Sequence, residues 1–341
     1  MPTVTGFSSR ELAQVLSHYE VGRIQKVEPM LAGNRAAPKV IVTTNQGKFL
    51  LKRRPKGKDD IYRVAFAHAV QTHLSQKYFP VPALVVTGSG YTTMLQLNDK
   101  IYEFFKFIGG VRYDGSSEQT IDSGRQLARF HQYLAEFAFH WKPMRSSFHD
   151  SASVRGHLRA IGMDKSVGSG RGLQKLADEL TELYNTSSVQ VNQSGYDRWT
   201  QQVVHGDWHP GNMLFLNDRL SAVLDFDTAK IAPPITDLAN AFLQFSIVGD
   251  RPNPTDWPDY LDQAKLVQVL DGYREVIELE QNRLDALLDL MIETMIAEAV
   301  LPVATTGFFG NLSGIDFLNM IERKCRWIED NRSVLTAAIN S

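Results

Sequence analysis

Apolar positions follow two different periods along the chain. Up to about residue 107 they come in short runs, "KVIVTT", "KFLLKR", "ALVVTG", "YTTMLQL" and "KIYEFF", bounded by Gly, Pro, Asn and Asp. Runs rich in β-branched and aromatic residues between turn residues predict strands. Asn45-Gln46-Gly47 joins the first two runs and predicts a hairpin. One helical stretch, "DDIYRVAFAHAVQTHLSQKY", is set among them and stops ahead of "FPVP". Ser8 and Glu11 form a Ser-x-x-Glu capping box before "LAQVLSHY", so a short helix should open the chain.

After "FKFIGG" the period lengthens. Leu127, Phe130, Leu134 and Phe137 recur at helical spacing. Residues 140–200 are polar and punctuated by Gly and Ser, with one helix expected near "LQKLADELTELY". Helical patterns return in "LDQAKLVQVLDGYREVIELE", "LDALLDLMIETMIAEAV" and "IDFLNMIERKCRWIED". The reading is a sheet-rich region at 1–107, antiparallel with one main helix, and a mostly helical region at 108–341.

Composition narrows the function classes. A chain of 341 residues, 43% hydrophobic and 22% charged, suits an ordinary globular protein of two domains. A net charge of −2 gives no reason to expect nucleic acid as partner. The single cysteine, Cys325, excludes an internal disulfide, and with scattered histidines it supplies no zinc ligand set. The start "MPTVTGFSSRELAQ" lacks the basic and apolar segments of a signal peptide. The most apolar window contains Asp289, Glu293 and Glu298, so a buried helix is expected there and no membrane span. The expected location is the cytoplasm.

The candidate chemistry lies in "VVHGDWHPGNMLFLNDRLSAVLDFD", residues 203–227. Each turn alone would be unremarked, with Asp207 closing an Asx turn and Pro210-Gly211 another. Together they set Asn212 five residues after Asp207, and Asp225 eighteen after it. The intervening "MLFLNDRLSAVL" predicts a hairpin that returns Asp225 toward Asn212. Phosphoryl transfer from a magnesium nucleotide needs a carboxylate to orient the acceptor hydroxyl, and oxygen ligands for a hard cation. Asp207 suits the first need; Asn212 and Asp225 suit the second.

"HGDWHPGN" followed by "VLDFD" resembles the motif of the aminoglycoside phosphotransferase family, which includes choline, ethanolamine, homoserine and methylthioribose kinases. The resemblance follows most of the chain in order. It implies an α+β, protein-kinase-like two-lobe fold with Asp207 as catalytic base and Asn212 and Asp225 as Mg2+ ligands. It also implies His205 as a structural part of the catalytic loop and Asp237 as its brace. Lys52 falls where the family's ATP-phosphate lysine sits. The glutamate that pairs with that lysine in protein kinases has no counterpart on the following helix, where His68 or Gln71 takes the place. "MLAGNRAAPKV" offers Gly33 and Asn34 as a reduced phosphate loop. "EFFKFIGG" resembles the linker whose main chain holds adenine, near Phe105 and Phe107.

For the acceptor, Trp208, His209 and Asp227 are sequence neighbours of the catalytic residues, and Asp227 is open to contact with metal, with substrate or with a turn. Glu293 and Glu298 lie on an apolar helix, where carboxylates need a partner: an amine-bearing substrate, solvent or an internal Arg. His131 is expected to pack structurally. The implied function is transfer from Mg-ATP to a hydroxyl of homoserine, an amino alcohol or a sugar. Two alternatives stand beside it, a Ser/Thr protein kinase and a catalytically silent module of the same fold.

Overall fold

Alternation along the first strands decides which sheet face is buried. In the computed structural model, which describes residues 6–30, 37–139, 147–163, 170–249 and 251–341, five antiparallel strands run in the order β1-β2-β3-β5-β4. They are β1 (Ile24–Pro29), β2 (Lys39–Thr44), β3 (Gly47–Arg53), β4 (Met94–Leu97) and β5 (Lys100–Lys106). Val40 and Val42 of β2, Phe49 and Leu51 of β3, and Tyr102 and Phe104 of β5 form one apolar core. Helix α1 (Ser9–Leu16) adds Leu12, Val15 and Leu16 to it. Ser8 caps α1 as expected, its Oγ accepting from Glu11 N–H at 3.1 Å. The Glu11 carboxylate instead accepts from Arg53 and the Tyr102 hydroxyl at 2.7 Å and from Lys100 at 3.2 Å, so it braces the sheet.

Helix α2 (Ile61–Gln76) is capped by Asp60 and buries Val64, Phe66, Val70 and Leu74. The strand expected at "ALVVTG" is a correction: only Leu84 bridges to Phe105. Pro80 and Pro82 lack the N–H groups a ladder needs and hold that segment irregular.

The chain forms two units. One gathers Met1–Tyr113, Tyr133–Pro143 and Asn212–Ala229; the other gathers Asp114–Gln132, Met144–Gly211 and Lys230–Ser341. The hairpin expected at 213–224 forms within the first unit as β7 (Met213–Leu216) and β8 (Arg219–Val223). Its turn residues Asn217 and Asp218 have φ of 50° and 57°, the left-handed pair a tight hairpin requires. A bridge from Val111 to Phe215 and the bond from Val223 N–H to Pro80 O at 2.8 Å fasten it to the rest of that unit.

The second unit contains α3 (Ser117–Leu134) without its last two residues, α4 (Ala152–Met163), α5 (Gly170–Gln193) and the paired strands β6 (Gln202–Val204) and β9 (Lys230–Ala232). It continues with α6 (Ile235–Ser246), α7 (Gln263–Arg274), α8 (Gln281–Asp285) and α9 (Leu287–Thr306). The two-residue strands β10 (Phe308–Phe309) and β11 (Leu312–Ser313), then α10 (Gly314–Asp330) and α11 (Arg332–Asn340), complete it. Helix α9 is buried nearly all round, with α4, α5, α6 and α10 packed about it. Where one helix was expected between 140 and 200, two form: Val154, Leu158 and Ile161 give α4 a buried stripe that its polar composition hides. Helices α3 and α7 cross in backbone contact. A Cβ at Gly124 would lie 2.0 Å from Val269 O, and one at Gly272 would lie 1.8 Å from Ile121 O.

Candidate active site

That crossing positions a histidine. His131 on α3 bonds through Nδ1 to the Tyr273 hydroxyl of α7 at 2.9 Å, and its Nε2 lies 3.3 Å from Asp237 Oδ2. Asp237, in the first turn of α6, is 1% exposed and accepts His205 N–H at 2.6 Å and Gly206 N–H at 2.8 Å. Burial works against its charge, but the His131 bond and the positive field of His131 and His205 hold its carboxyl below the ordinary range. Two main-chain donors on one buried carboxylate fix the backbone immediately before Asp207. The loop leaves β6 at Val204, which pairs with Lys230 of β9.

Asp207 is partly exposed, and His209 Nε2 lies 3.4 Å from its Oδ2. Gly211 N–H donates to His209 Nδ1 at 3.0 Å, which fixes the ring with its Nε2 toward Asp207. The Trp208 indole is fully buried, 5.6 Å from the rings of Phe130 and His205, so it packs beneath the loop.

In the other unit, the hairpin sets the two proposed metal ligands at one end of its ladder. Leu224 N–H donates to Asn212 O at 2.8 Å, Met213 pairs with Val223, and Asp225 follows. Asp225 has φ of 60°, a conformation uncommon outside glycine that is concentrated at functional turns. Two oxygen-bearing side chains match a magnesium ion that keeps water and nucleotide oxygens as its other ligands; they do not form an all-protein cage. Among the described residues no group of three or more His, Cys, Asp or Glu is gathered as a metal cage.

Lys52 of β3 stands directly across from Glu103 of β5, with Nζ 3.6 Å from Oε2. Glu103 Oε1 also meets Arg54 at 2.8 Å and His68 Nε2 at 2.7 Å. Burial opposes the charge of Glu103, yet the His68 bond and the Lys52 and Arg54 cations bring it down to about 2. Arg54 reaches Asp227 Oδ1 at 2.8 Å, and Lys58 lies 4.0 Å from Oδ2, so Asp227 is held in ion pairs. Sequence reasoning missed Glu103 and Arg54. The available signal was a lone acid in the apolar run "KIYEFFK", with Lys52 and Arg54 two apart at the end of "KFLLKR". Gln71 donates to Pro82 O at 3.0 Å and does not join this cluster. Gly33 and Asn34 lie outside the described residues. Phe105 is buried at the Leu84 bridge, and Phe107 N–H donates to Lys48 O at 3.0 Å.

A cleft of the second unit is lined by Gly206, Lys230, Asp237, Asn240, Glu293 and Thr294, among others. Glu293 is committed internally: it accepts Asp150 N–H at 3.1 Å and the Ser188 hydroxyl, and binds His149 Nδ1 at 2.8 Å. The partner found for this carboxylate is an internal histidine, where an amine-bearing substrate, solvent or an internal Arg was expected. Burial lowers the pKa of His149, but the Glu293 carboxylate outweighs it and raises the ring above its ordinary value. Among the described residues Glu298 accepts two amides, Asn240 Nδ2 at 2.8 Å and Gln244 Nε2 at 2.9 Å. Burial, and then the charge of Asp207, push Glu298 up to about 7. Lys230 forms no ion pair among the described residues, and its ammonium lies 4.3 Å over the Phe148 ring. Burial lowers its pKa against the pull of Asp237, Glu298 and Asp207.

The profile of the phosphotransferase enzyme family matches residues 28–279. The chain belongs to that family. It is 26% identical over 237 residues to a homoserine kinase of Xanthobacter autotrophicus, covering 66% of each chain, just under two thirds of that relative. It is 24% identical over 301 residues to one of Brucella abortus, covering 85% of this chain and 82% of the relative. Among solved structures, a microcompartment-associated aminopropanol kinase superposes with TM-score 0.67 at 14% identity over 96% of this chain and 99% of the other. An amicoumacin kinase in complex with AMP-PNP and Ca2+ gives the same score and identity over 95% and 94%. The fold is the protein-kinase-like one of these phosphotransferases. Among the described residues no helix is long and apolar enough to cross a membrane.

Proposed function

We propose that the chain transfers the γ-phosphoryl group of Mg-ATP to the hydroxyl of a small amine-bearing acceptor. The acceptor proton passes to the Asp207 carboxylate as the acceptor oxygen bonds to phosphorus and the bond to the ADP oxygen breaks. The observation that carries this reading is the Asp237 clamp. One buried carboxylate takes the N–H groups of His205 and Gly206, and so holds the next residue, Asp207, as a fixed base. His209, with Nε2 3.4 Å from Asp207 Oδ2, would help orient that base. Asn212 and Asp225 would hold magnesium, which offsets charge on the phosphate oxygens. Lys52 would hold the α- and β-phosphates, and the main chain around Phe105 and Phe107 would meet adenine.

Homoserine is the acceptor class best supported. Homoserine kinases are among the chain's relatives, and the second unit holds an ammonium, Lys230, that forms no ion pair among the described residues, and a carboxylate, Glu298, that accepts two amides. A zwitterion with a hydroxyl arm answers both charges. ADP release would be measured with Mg-ATP and homoserine, aminopropanol, choline, an aminoglycoside or a hexosamine, with Asp207→Asn as the blank. Homoserine should raise turnover above the blank more than aminopropanol does. Equal rates for parent and blank with every acceptor would sink the phosphotransfer reading, and preference for aminopropanol would sink the zwitterion.

A further inference from the structure

Protein kinases orient the nucleotide lysine with a glutamate from the helix that follows it. Here α2 supplies no acid between Ile61 and Gln76. The side chain that α2 turns toward the lysine strand is His68, 2% exposed, and it stops at Glu103 Oε1. We propose that Glu103, a strand residue held by His68 and Arg54, replaces the helix glutamate as the group that positions Lys52. This inference rests on the phosphotransfer reading and assigns a residue that reading does not require.

The argument begins with strand register. Lys52 and Glu103 are direct cross-strand partners, so both project to one sheet face, opposite the face on which Leu51 meets Phe104. Arg54, just past the end of that strand with its N–H donating to Ile101 O at 2.9 Å, is two residues beyond Lys52 and turns its guanidinium to Glu103. Glu103 is 1% exposed and would be costly alone. Its two oxygens divide the work. Oε1 takes the short bonds from Arg54 and His68, while Oε2 faces the Lys52 ammonium at 3.6 Å. His68 is itself fixed, its Nδ1 bonded to Thr93 Oγ1 at 2.9 Å. Thr93, His68, Glu103 and Lys52 therefore form a chain in which only the last member is free to move toward a phosphate. Arg54 extends it to Asp227, two residues past Asp225, and so ties the lysine strand to the proposed metal-binding turn within one unit. The carboxylate that faces the lysine is thus carried by the neighbouring strand of the same sheet, and α2 contributes to it only indirectly, through His68.

The test is affinity for mant-ATP with Mg2+, together with KM for ATP and for the acceptor. Glu103→Gln should weaken nucleotide binding about 10- to 100-fold, as loss of a positioning contact does, with KM for the acceptor unchanged. In a Lys52→Met background the same change should cost nothing further, because the residue it positions is gone. Glu11→Gln removes another carboxylate with three donors from the same sheet, and should leave nucleotide affinity at the parent value. Should Glu103→Gln fail to fold, His68→Leu reads the same chain one step back and should weaken mant-ATP severalfold. Parent-like affinity in the variant that folds, or full additivity with Lys52→Met, overturns the assignment of Glu103 alone. A parent protein that binds no mant-ATP overturns the phosphotransfer reading with it.

Discussion

Glu103 in the sheet unit is buried and Glu298 in the helical unit is half-buried, and they ionise in opposite directions. Glu103 receives Arg54, Lys52 and His68 and falls to about 2. Glu298 receives two neutral amides, has Asp207 nearby and rises to about 7. Burial raises both. The partners decide the sign, since a full positive charge favours the carboxylate far more than an amide dipole does. The sheet unit thus holds a permanently charged brace. The helical unit keeps a group that changes its charge near neutral pH beside the proposed base.

The comparison can be broken first at Asp207. Asp207→Asn should cut turnover about 10²- to 10⁴-fold, the usual contribution of a positioned base. It should also let Glu298 ionise at lower pH, because a negative neighbour is lost; isotope-edited infrared titration of the carboxyl reads this. An unchanged Glu298 titration would mean that burial alone sets it. Next, Glu103→Leu strands Arg54 and Lys52 and should cost about 3–5 kcal/mol in urea unfolding. A loss below about 1 kcal/mol would show those cations content with solvent. The smallest effect is expected at Glu298→Gln, which keeps the shape and should stay within about 1 kcal/mol at pH 5.

The pH profiles sharpen the contrast. The folded pKa of Glu298 lies above its ordinary 4.5, so its stabilisation is complete below 4.5 and declines as pH rises toward 7. Glu298→Gln should flatten that decline. Glu103, lowered from 4.5 to about 2, stabilises above 4.5 and loses its contribution as pH falls toward 2. Stability curves of the two variants against the parent should therefore diverge at opposite ends of the acidic range.

Much of this was legible in the residues. The Asn45-Gln46 hairpin, the β7–β8 hairpin and the α1 cap follow from local turn and capping chemistry, which acts over a few residues. Asp207, Asn212 and Asp225 stood out because their spacing has little purpose other than chemistry. Segment 83–87 and helix α4 misled for a local reason: two prolines stand immediately before one apolar run, and polar composition masked a narrow stripe in the other.

By itself, the sequence determined the hairpins, the α1 cap and which loop gathers Asp207 and its polar neighbours, because those depend on neighbours in the chain. Tertiary structure alone decided the partners of buried charge. Glu103 meets Lys52 through strand register, His131 meets Asp237 through a crossing of two glycine-faced helices, and Trp208 disappears into the core. The physical reason is range. Turns and caps are satisfied within a few residues, whereas a buried carboxylate must be answered by whatever cation or donor the fold brings across 50 or 100 positions of chain, as Arg54 does for Glu103 with 49 residues between them in sequence number and His131 for Asp237 with 106.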